Sequence, residues 1–549
     1  MNPEDIYITK VYLLNVPLES DYKNSLYFSS KSAQQSYFQS RIVRSYNYSD
    51  FSYQRKDHII RVPEIYDNIY NVNYVMYQNS KYGDKWFYAF VDKLEYINDG
   101  RTDLHITTDV IQTWLFDYNL KASFIEREHT DDDTVGKNTI PENLDIGQII
   151  SDSMYQDYTV GNASGVFWLV IACNYDPSDN TRSSGIGLYG KYPQGCLWFA
   201  WDINPNSYSG TQYEQISQWI TDVTNEGHAN DIQTIFTLPY QCLTYQYVIE
   251  GETIPGDVDH DTHKVISGRG QSINANKTFL KSTFRLFSDY QARNNKLYTY
   301  PYSYMRVTNN LGSYNDYKIE DFNEPDVEDQ PTDNMTFNTI GVPCEGFSCK
   351  LRPTYYQGVQ YNEDEALSLG KYPTLSWASD GFTNWLTQNA INLVVGFANN
   401  SLGAIQSATR GDILGASGNV LNTIGQSIGN IYQASMIPNT AKGNANAGDI
   451  SFIQNLNRFK YLHMRPKKEY LKVVDDYFTM FGYKCNQVKI PNKNHRQRWW
   501  YTKTINANID GNIPQEDILK IKDCYNNGIT FWRNASEIEN YTLSNNVIS

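Results

Sequence analysis

Hydrophobic and polar positions alternate in short runs over the first 130 residues of this 549-residue chain. Aromatic and β-branched residues cluster at positions 74–78, 86–90 and 104–107, and turn-forming residues separate the clusters. Short alternating runs bounded by turn residues are typical of β-strands. The pattern predicts a β domain over residues 1–130.

A middle region, residues 131–380, begins at three consecutive aspartates, Asp131, Asp132 and Asp133. Hydrophobic runs at positions 166–172 and 196–201 predict strands, and long polar stretches separate them. Positions 315–334 are dense in acids and contain Pro325 and Pro331, so we expect a solvated loop there.

The last region, residues 449–549, combines both periodicities. Positions 467–481 predict a helix, and the runs at 501–505 and 528–532 predict strands. The expected fold class is therefore mainly β with some α+β.

The segment 381–448 differs from its surroundings because it contains only three charged residues, Arg410, Asp412 and Lys442, and ten glycines. Its apolar residues are interleaved with Asn, Gln, Ser and Thr, so the segment can leave water without stranding many charges. The apolar residues of its first part are Trp385, Leu386, Ile391, Leu393, Val394, Val395 and Phe397.

The second part of this segment has helical spacing. Its β-branched residues recur at intervals of seven, four, four and three, which predicts one apolar helix face formed by Ile413, Val420, Ile424, Ile428 and Ile431. Glycines four apart allow helices to approach closely in a membrane, and this spacing occurs at Gly411 and Gly415 and again at Gly425 and Gly429.

No window of the segment approaches the ~18 to 20 continuous apolar residues that a single membrane span requires. Membrane insertion would need several copies that shield one another's Asn and Gln side chains. The residues leave two interpretations open. The segment is a surface insertion or helical hairpin packed on its own domain, or it is a plug or membrane-active element.

Composition and charge narrow the class of protein. The 45 Tyr, 23 Phe and 11 Trp residues fit a strand-rich chain with aromatic subunit interfaces. A net charge of −15 argues against a general nucleic-acid binder, whose affinity would come from neutralising phosphates.

The charge is uneven along the chain. Residues 454–503 carry twelve Lys and Arg against three acids, a net charge of +9, so the remainder carries −24. With Trp499 and Trp500, this basic segment could bind single-stranded nucleic acid by stacking. The alternative is a contact with acidic neighbouring subunits.

Seven cysteines, an odd and small number, predict free thiols and folding in the cytosol rather than a disulfide framework. The first ten residues contain acids where a signal peptide requires positive charge and an apolar core. We therefore expect the protein to leave a cell by assembly or lysis.

Candidate chemistry is sparse. The acids and histidines at positions 257–263 could hold a metal ion, or could form a solvated loop: Asp257, Asp259, His260, Asp261 and His263. Two other groups lack the spacing of a metal site, Cys344 with Cys349 and the trio Glu126, Glu128 and His129. No phosphate-binding glycine loop or serine nucleophile elbow is present in the sequence. We predict no catalytic residue, no metal and no cofactor.

Several strings are more specific. They are SDYKN at 20–24, MYQNSKYGDKWFYAF at 76–90, TTDVIQTWLFD at 107–117, SFIEREH at 123–129, FGYKCNQVKIPN at 481–492 and NNGITFW at 526–532. Together and in this order they resemble the tail knob, or distal tail tube, proteins of small short-tailed bacteriophages that infect Gram-positive bacteria.

The resemblance implies a hexameric β tube through which the genome leaves, with N- and C-terminal segments jointly forming the tube wall. It also implies a low-charge, glycine-rich loop before the C-terminal domain, which plugs the lumen and, once expelled, forms a channel in the host membrane. Residues 381–448 lie at that position. The implied domains are an N-terminal tube domain (1–130), a knob region (131–380), the plug loop (381–448) and a C-terminal tube domain (449–549).

Physical arguments agree with this implication. A closed ring removes the exposed sheet edges of a strand-rich chain, and a negative wall would release DNA rather than hold it. The implied partners are five other copies, the upper tail tube (collar) protein, DNA passing through non-specifically, the host membrane and a tail-tip cell-wall hydrolase. The implied location is the distal end of the virion tail, after folding in the host cytoplasm. Two alternatives remain: a tail-associated adhesin or cell-wall hydrolase, and a cellular pore-forming protein.

Overall fold

The computed structural model describes residues 8–47, 50–54, 57–79, 83, 85–157, 160, 167–175, 197–203, 219, 222–223, 226–228, 231–243, 248–250, 264–266, 270–310, 312–326, 332–358, 367–368, 374–375 and 458–548. The low-charge segment 381–448 and the predicted metal loop 257–263, with every residue named in them above, lie outside the described residues.

Strands dominate the described chain. In chain order they are β1 (Ile8–Leu14), β2 (Asn24–Leu26), β3 (Ile42–Asn47), β4 (Ser52–Gln54), β5 (Ile59–Val62), β6 (Tyr74–Asn79), β7 (Lys85–Asn98), β8 (Arg101–Thr108), β9 (Tyr118–Leu120), β10 (Ser123–Glu128), β11 (Ile149–Gln156), β12 (Phe167–Cys173), β13 (Leu197–Ile203), β14 (Ile232–Pro239), β15 (Val248–Glu250), β16 (Lys264–Ile266), β17 (Ile273–Leu280), β18 (Tyr304–Thr308), β19 (Tyr314–Tyr317), β20 (Asn334–Gly341), β21 (Cys349–Thr354), β22 (Leu367–Ser368), β23 (Thr374–Leu375), β24 (Lys460–Pro466), β25 (Tyr483–Lys489), β26 (Trp499–Ile505), β27 (Ile509–Gly511) and β28 (Ile529–Trp532).

The described helices are few and mostly short: α1 (Lys31–Gln39), α2 (Tyr66–Ile69), α3 (Val110–Trp114), α4 (Lys281–Phe284), α5 (Lys468–Phe481) and α6 (Gln515–Asn527). Within the ranges that the structure covers, no helix is long and apolar enough to cross a bilayer. The predicted helix at 467–481 is confirmed by α5, and the predicted strands in the first, middle and last regions are confirmed by β6, β7, β8, β12, β13, β26 and β28.

The chain forms two compact units. The first contains Met1–Gln148, Tyr290–Thr299 and Pro466–Ser549, and the second contains Ile149–Asp289 and Tyr300–Arg465. The first unit is therefore built from both ends of the chain together with a ten-residue segment from its middle, Tyr290–Thr299, which we call the return segment.

A seven-stranded sheet in the order β3-β1-β6-β7-β8-β5-β4 is the largest element of the first unit. Its inner strand β6 is buried on both faces, between which its side chains alternate. In β6, Val75 and Tyr77 lie in one core cluster, whereas Tyr74 and Met76 lie in another.

A five-stranded sheet joins the two ends of the chain in the order β2-β28-β26-β10-β25. The strand β10 pairs antiparallel with β25 on one side and with β26 on the other. Phe124 lies opposite both Val488 and Ile505 in this register. The small sheet β27-β9 adds a further antiparallel pairing between the two ends.

The second unit contains three sheets. Their orders are β15-β16-β13-β12-β14-β23, β11-β24-β18-β19 and β17-β20-β21-β22. Every residue of β12 is buried, and its side chains alternate between two clusters: Trp168, Val170 and Ala172 contribute to one, and Leu169 and Ile171 to the other.

The expectation of a solvated loop at 315–334 is wrong for its first part. Residues up to Tyr317 complete β19, and Tyr317, Ile319 and Phe322 are buried in the core of the second unit. The many acids in this stretch suggested a loop, but an apolar residue occurs at nearly every second or third position from Tyr317 to Phe322. The rings pack inward, Lys318 and Asp321 stay partly exposed, and Glu320 turns back to accept the Tyr300 N–H at 3.0 Å.

Gly482, which follows α5, has φ +65° and lies against the strand β10. A Cβ atom built there would stand 2.2 Å from the carbonyl oxygen of Glu128. Both the left-handed backbone and the close approach of another backbone require glycine at this position.

We expect Gly482→Ala to destabilise the protein by about 3 kcal/mol or more, because neither backbone can move without breaking the β10–β25 pairing. Gly83→Ala is the matched control, since Gly83 has φ +62° with nothing within 4 Å of a Cβ atom. The control should cost only about 1 to 2 kcal/mol. Urea unfolding of both variants measures the difference, and equal losses would show that the contact with Glu128 is unimportant.

Candidate functional site

The trio Glu126, Glu128 and His129 ends β10, and each member has a separate structural partner. Glu126 pairs with Lys503 at 2.9 Å on the adjacent strand. Glu128 pairs with Lys489 and accepts the Asn492 N–H at 2.9 Å, and burial raises the pKa of its carboxyl group. These contacts hold strands together and leave no shared site for a substrate or metal.

His129 is fixed as a neutral ring. The Tyr501 backbone N–H donates to Nδ1 at 2.8 Å, so the proton lies on Nε2, which is 3.1 Å from the Thr479 carbonyl oxygen. Burial, with the nearby Arg496 charge, lowers the pKa of His129 well below its usual value. Among the residues that the structure describes, no group of three or more His, Cys, Asp or Glu side chains is arranged to hold a metal ion.

The stacking interpretation of Trp499 and Trp500 is wrong. Both rings are buried, with 0% and 3% of their surface exposed. Trp499 packs 4.9 Å from the Trp532 ring and donates its Nε1–H to the Thr479 carbonyl, while Trp500 packs on Phe531. Their alternation along β26 places them in two opposite cores, so neither offers a face to a nucleic-acid base.

Five basic side chains of the segment 454–503 contact groups of the same chain. They are Arg465 with Asp152 and Asp289, Lys489 with Glu128, Arg496 with the Thr130 carbonyl, Arg498 with Glu537, and Lys503 with Glu126. For these five, partners in the same chain replace the acidic neighbours expected from the sequence.

Ser303, His463 and Asp152 in the second unit are arranged in the order of a catalytic triad. Ser303 Oγ lies 2.9 Å from His463 Nε2, and His463 Nδ1 lies 3.7 Å from Asp152 Oδ2. However, Ser303 and His463 are fully buried, and Asp152 is already bound by Arg465 Nε at 2.6 Å and by Ser288 Oγ at 2.7 Å. A nucleophile must reach its substrate, so this group serves as a packed polar contact among β11, β24 and the residue before β18.

The most extensive polar site of the first unit is the docking of the return segment on α5. Asp475, fully buried, accepts hydrogen bonds from Tyr290 Oη at 2.7 Å, from the Arg293 N–H at 2.9 Å, and from the N–H and Nδ2 of Asn294 at 3.1 and 2.7 Å. Four donors satisfy a carboxylate that would be costly to bury alone.

A second buried carboxylate, Glu142, anchors the other end of the same segment. It pairs with Lys296 of the return segment and with Arg127 of β10, and it accepts the Lys484 N–H of β25 at 2.9 Å. Lys296 also donates to the Ile140 carbonyl at 2.8 Å, and burial lowers the pKa of Lys296. Three separate stretches of the chain thus meet at one carboxylate.

A cavity of about 540 Å³ lies beside this docking site, between the return segment and the C-terminal residues. Its polar lining includes His129, Asp133, Asn294, Arg496 and Asn545. Arg496 is held there by the Thr130 carbonyl at 2.7 Å and the Asn545 carbonyl at 3.3 Å. The cavity is bounded by structural hydrogen bonds rather than by convergent reactive groups.

Sequence reasoning did not identify Asp475 or Glu142. A signal existed for Asp475, because Leu471, Val474, Asp475 and Phe478 share the buried stripe of α5. An acid on an apolar stripe indicates a buried polar contact. Glu142 carried no such signal, because it lies in an extended stretch without periodicity.

Two family models of phage tail proteins match this chain. Residues 8–119 match a family model described as the caudoviral major tail protein N-terminus, so the first unit begins with a domain of phage tail proteins. Residues 268–546, half of the chain, match the model of the C-terminal domain of the tail knob protein gp9 of Bacillus phage phi29. The chain therefore belongs to the tail knob protein family of short-tailed phages.

Relatives and a solved structure agree with this membership. The chain is 26% identical to the tail knob protein gp9 of Bacillus phage B103 and 26% identical to that of Bacillus phage phi29, over 97% of each chain. The structure of the bacteriophage C1 tail knob protein, gp12, superposes with a TM-score of 0.64 at 14% identity, over 98% of this chain and 100% of the other. These relatives are structural components of the virion tail, and neither family model describes an enzyme.

We expect Asp475→Asn to release the return segment. The substitution replaces one acceptor oxygen by an NH2 donor, which would face the hydrogen-bond donors of the return segment. The neighbouring Asp476→Asn is the matched control, since Asp476 is half exposed and its described ion-pair partner is the partly exposed Arg293. Hydrogen exchange of the Arg293 and Asn294 amides should accelerate about 100-fold or more in Asp475→Asn, corresponding to about 3 kcal/mol. The control should change exchange by less than about fivefold. If the amides of Arg293 and Asn294 were equally protected from exchange in Asp475→Asn, the carboxylate would not be what holds the return segment.

Three histidines, two buried and one partly buried, should make the protein acid-labile. Burial lowers the pKa of His463 to about 4 and of His495 to about 4, and it lowers the pKa of His129 well below its usual value. Because the folded-state pKa values are depressed, the unfolded chain binds more protons below its pKa of about 6.5. Stability should be complete above pH 6.5 and fall as the pH drops toward 4.

The pH dependence of Tm between 7 and 4 tests this. His495→Asn removes one of the three groups and should flatten the decline, whereas His58→Asn, at an exposed side chain, should leave it unchanged. A decline of equal slope in both variants would assign the acid sensitivity to other groups.

Proposed function

We propose that this chain forms a hexameric distal tail tube and knob that conducts DNA during ejection. The observation that carries the proposal is its relation to tail knob proteins over 97% of their length and of its own. The first unit, assembled from both chain ends, is the candidate for the tube wall. The predicted tube domain, 1–130 with 449–549, differs from this unit, which also includes residues 131–148 and the return segment and leaves residues 449–465 to the second unit. The knob region would correspond to most of residues 131–380.

The charge of the chain supports a conduit. The net charge of −15 disfavours adhesion of DNA phosphates. In the most basic segment, 454–503, at least five Lys and Arg side chains contact groups of the same chain. Basic groups that are already paired leave little attraction for DNA that passes non-specifically. The upper, collar part of the tail tube would adjoin this ring in the virion.

The segment 381–448 is the proposed plug. Six copies could hide the helical face of Ile413, Val420, Ile424, Ile428 and Ile431 against one another inside the lumen. Expulsion would expose that face to the host bilayer, where helices satisfy their own backbone hydrogen bonds. The paired glycines Gly411 and Gly415, and Gly425 and Gly429, would let these helices approach closely to form a channel.

Deletion of residues 381–448 tests the tube and the plug together. In electron micrographs, the full-length protein should form six-fold rings with density in the lumen, and the deletion variant should form the same rings without it. Monomers would contradict the tube, and identical lumens in both proteins would contradict the plug.

Within the plug, the double variant Ile424→Asp/Ile428→Asp should keep the ring but reduce DNA delivery by about tenfold or more, because two charges per copy would face the bilayer. Thr423→Asp/Ser427→Asp adds the same charge to neighbouring polar positions and is the control. Infection titres of phage carrying each variant measure delivery, and equal titres would remove the proposed role of this face.

A further inference from the structure

An exposed apolar row crosses three neighbouring strands of the first unit. Phe124 of β10 lies opposite Val488 of β25 and Ile505 of β26. Val488, Ile490 and Ile505 expose 71%, 61% and 54% of their surface, and Phe124 exposes 36%. We call Phe124, Val488, Ile490 and Ile505 the edge patch.

The edge patch lies at the side of the sheet. The strand β25 is the last strand of its sheet in the order β2-β28-β26-β10-β25, and no other described strand pairs with its outer side. Lysines and a bulge often protect such an edge, and β25 has Lys484, Lys489 and an irregular register opposite Ile125 and Arg127, but its apolar row stays exposed. A solvent-facing row of large apolar side chains beside an open edge indicates a covered surface.

The charge beside the patch is positive. Between Asp476 and Asp510 the chain contains six basic residues and no acid. Four of the six contact groups of the same chain, as described above. Lys484 and Lys493 have no carboxylate partner in the part of the chain that the structure describes, so the covering surface should be apolar and acidic.

A second exposed patch in the same unit is both apolar and acidic. Ile65, Tyr66 and Tyr70, around the short helix α2, expose 45%, 37% and 71% of their surface, and we call them the helix patch. Asp67 lies exposed between them, and no Lys or Arg occurs between Arg61 and Lys81. A further exposed apolar tip, Tyr96 and Ile97, carries Lys93 and Arg101 as well as Glu95 and Asp99, so its charge is mixed.

We propose that the edge patch of one copy of this chain binds the helix patch of a second copy. Contact of two edge patches with each other would bring lysines together, which disfavours a two-fold dimer. Two different, complementary patches on one chain form a head-to-tail interface, which generates a ring when the rotation between neighbouring copies closes. The inference rests on the proposed ring and specifies which surfaces join its subunits.

Paired substitutions test the interface. Val488→Glu places a charge in the edge patch and should raise the concentration at which half of the chains are in rings by at least about tenfold. Val473→Glu is the matched control, because Val473 on α5 exposes 66% of its surface outside both patches. It should assemble like the unchanged protein. Mass photometry measures assembly, and circular dichroism verifies that each variant is folded.

Mixing distinguishes a head-to-tail contact from other contacts. Tyr70→Glu disables the helix patch and, like Val488→Glu, should be monomeric alone. An equimolar mixture of the two retains one intact edge patch and one intact helix patch, so it should form dimers and nothing larger. Rings formed by either single variant at the concentration at which the unchanged protein assembles would overturn the interface. A monomeric unchanged protein would instead overturn the ring on which the interface rests.

Discussion

The pairing of β10 with both β25 and β26 is the contact on which the rest of the first unit depends. It joins residues separated by most of the chain, as when Arg127 donates to the Gly482 carbonyl 355 residues later. The entropy cost of closing a loop rises only slowly with its length. A large insertion between the two ends therefore adds little entropy cost, and the second unit lies within this insertion. The same pairing forces Gly482 against the Glu128 backbone and creates the row in which Phe124 lies between Val488 and Ile505.

Two buried carboxylates secure the return segment within this frame by different means. Asp475 is satisfied mostly by neutral donors, two of them backbone N–H groups, whereas Glu142 is satisfied by Arg127 and Lys296. Replacing such contacts by apolar packing is often no less stable, so their benefit is geometric. A carboxylate with several required donors accepts one register of the segment and rejects others. A chain that passes between two units several times needs this precision.

Among the described residues, the side chains that resemble catalytic or binding groups make structural contacts instead. His129 is held neutral by Tyr501 and Thr479, and Ser303 with His463 is sealed in a core. The tryptophans of β26 pack against Trp532 and Phe531. Under the proposed function, the working parts of the protein are the surfaces that join copies and line a passage. The edge patch and the helix patch are surfaces of that kind, and each is exposed only in the isolated chain under the proposed interface.

The sequence by itself determined the mainly β class, the helix α5, the strands of both ends and the membership suggested by strings such as FGYKCNQVKIPN. These features depend on local periodicity and on short-range identity, which a linear chain displays directly. Only the tertiary structure decided that Trp499 and Trp500 are buried, that Tyr317 and Phe322 lie in a core despite acidic surroundings, and that Asp475 receives four hydrogen bonds. Partner choice depends on residues hundreds of positions away, so a local pattern such as the stripe of α5 can mark a buried position but cannot identify its partners.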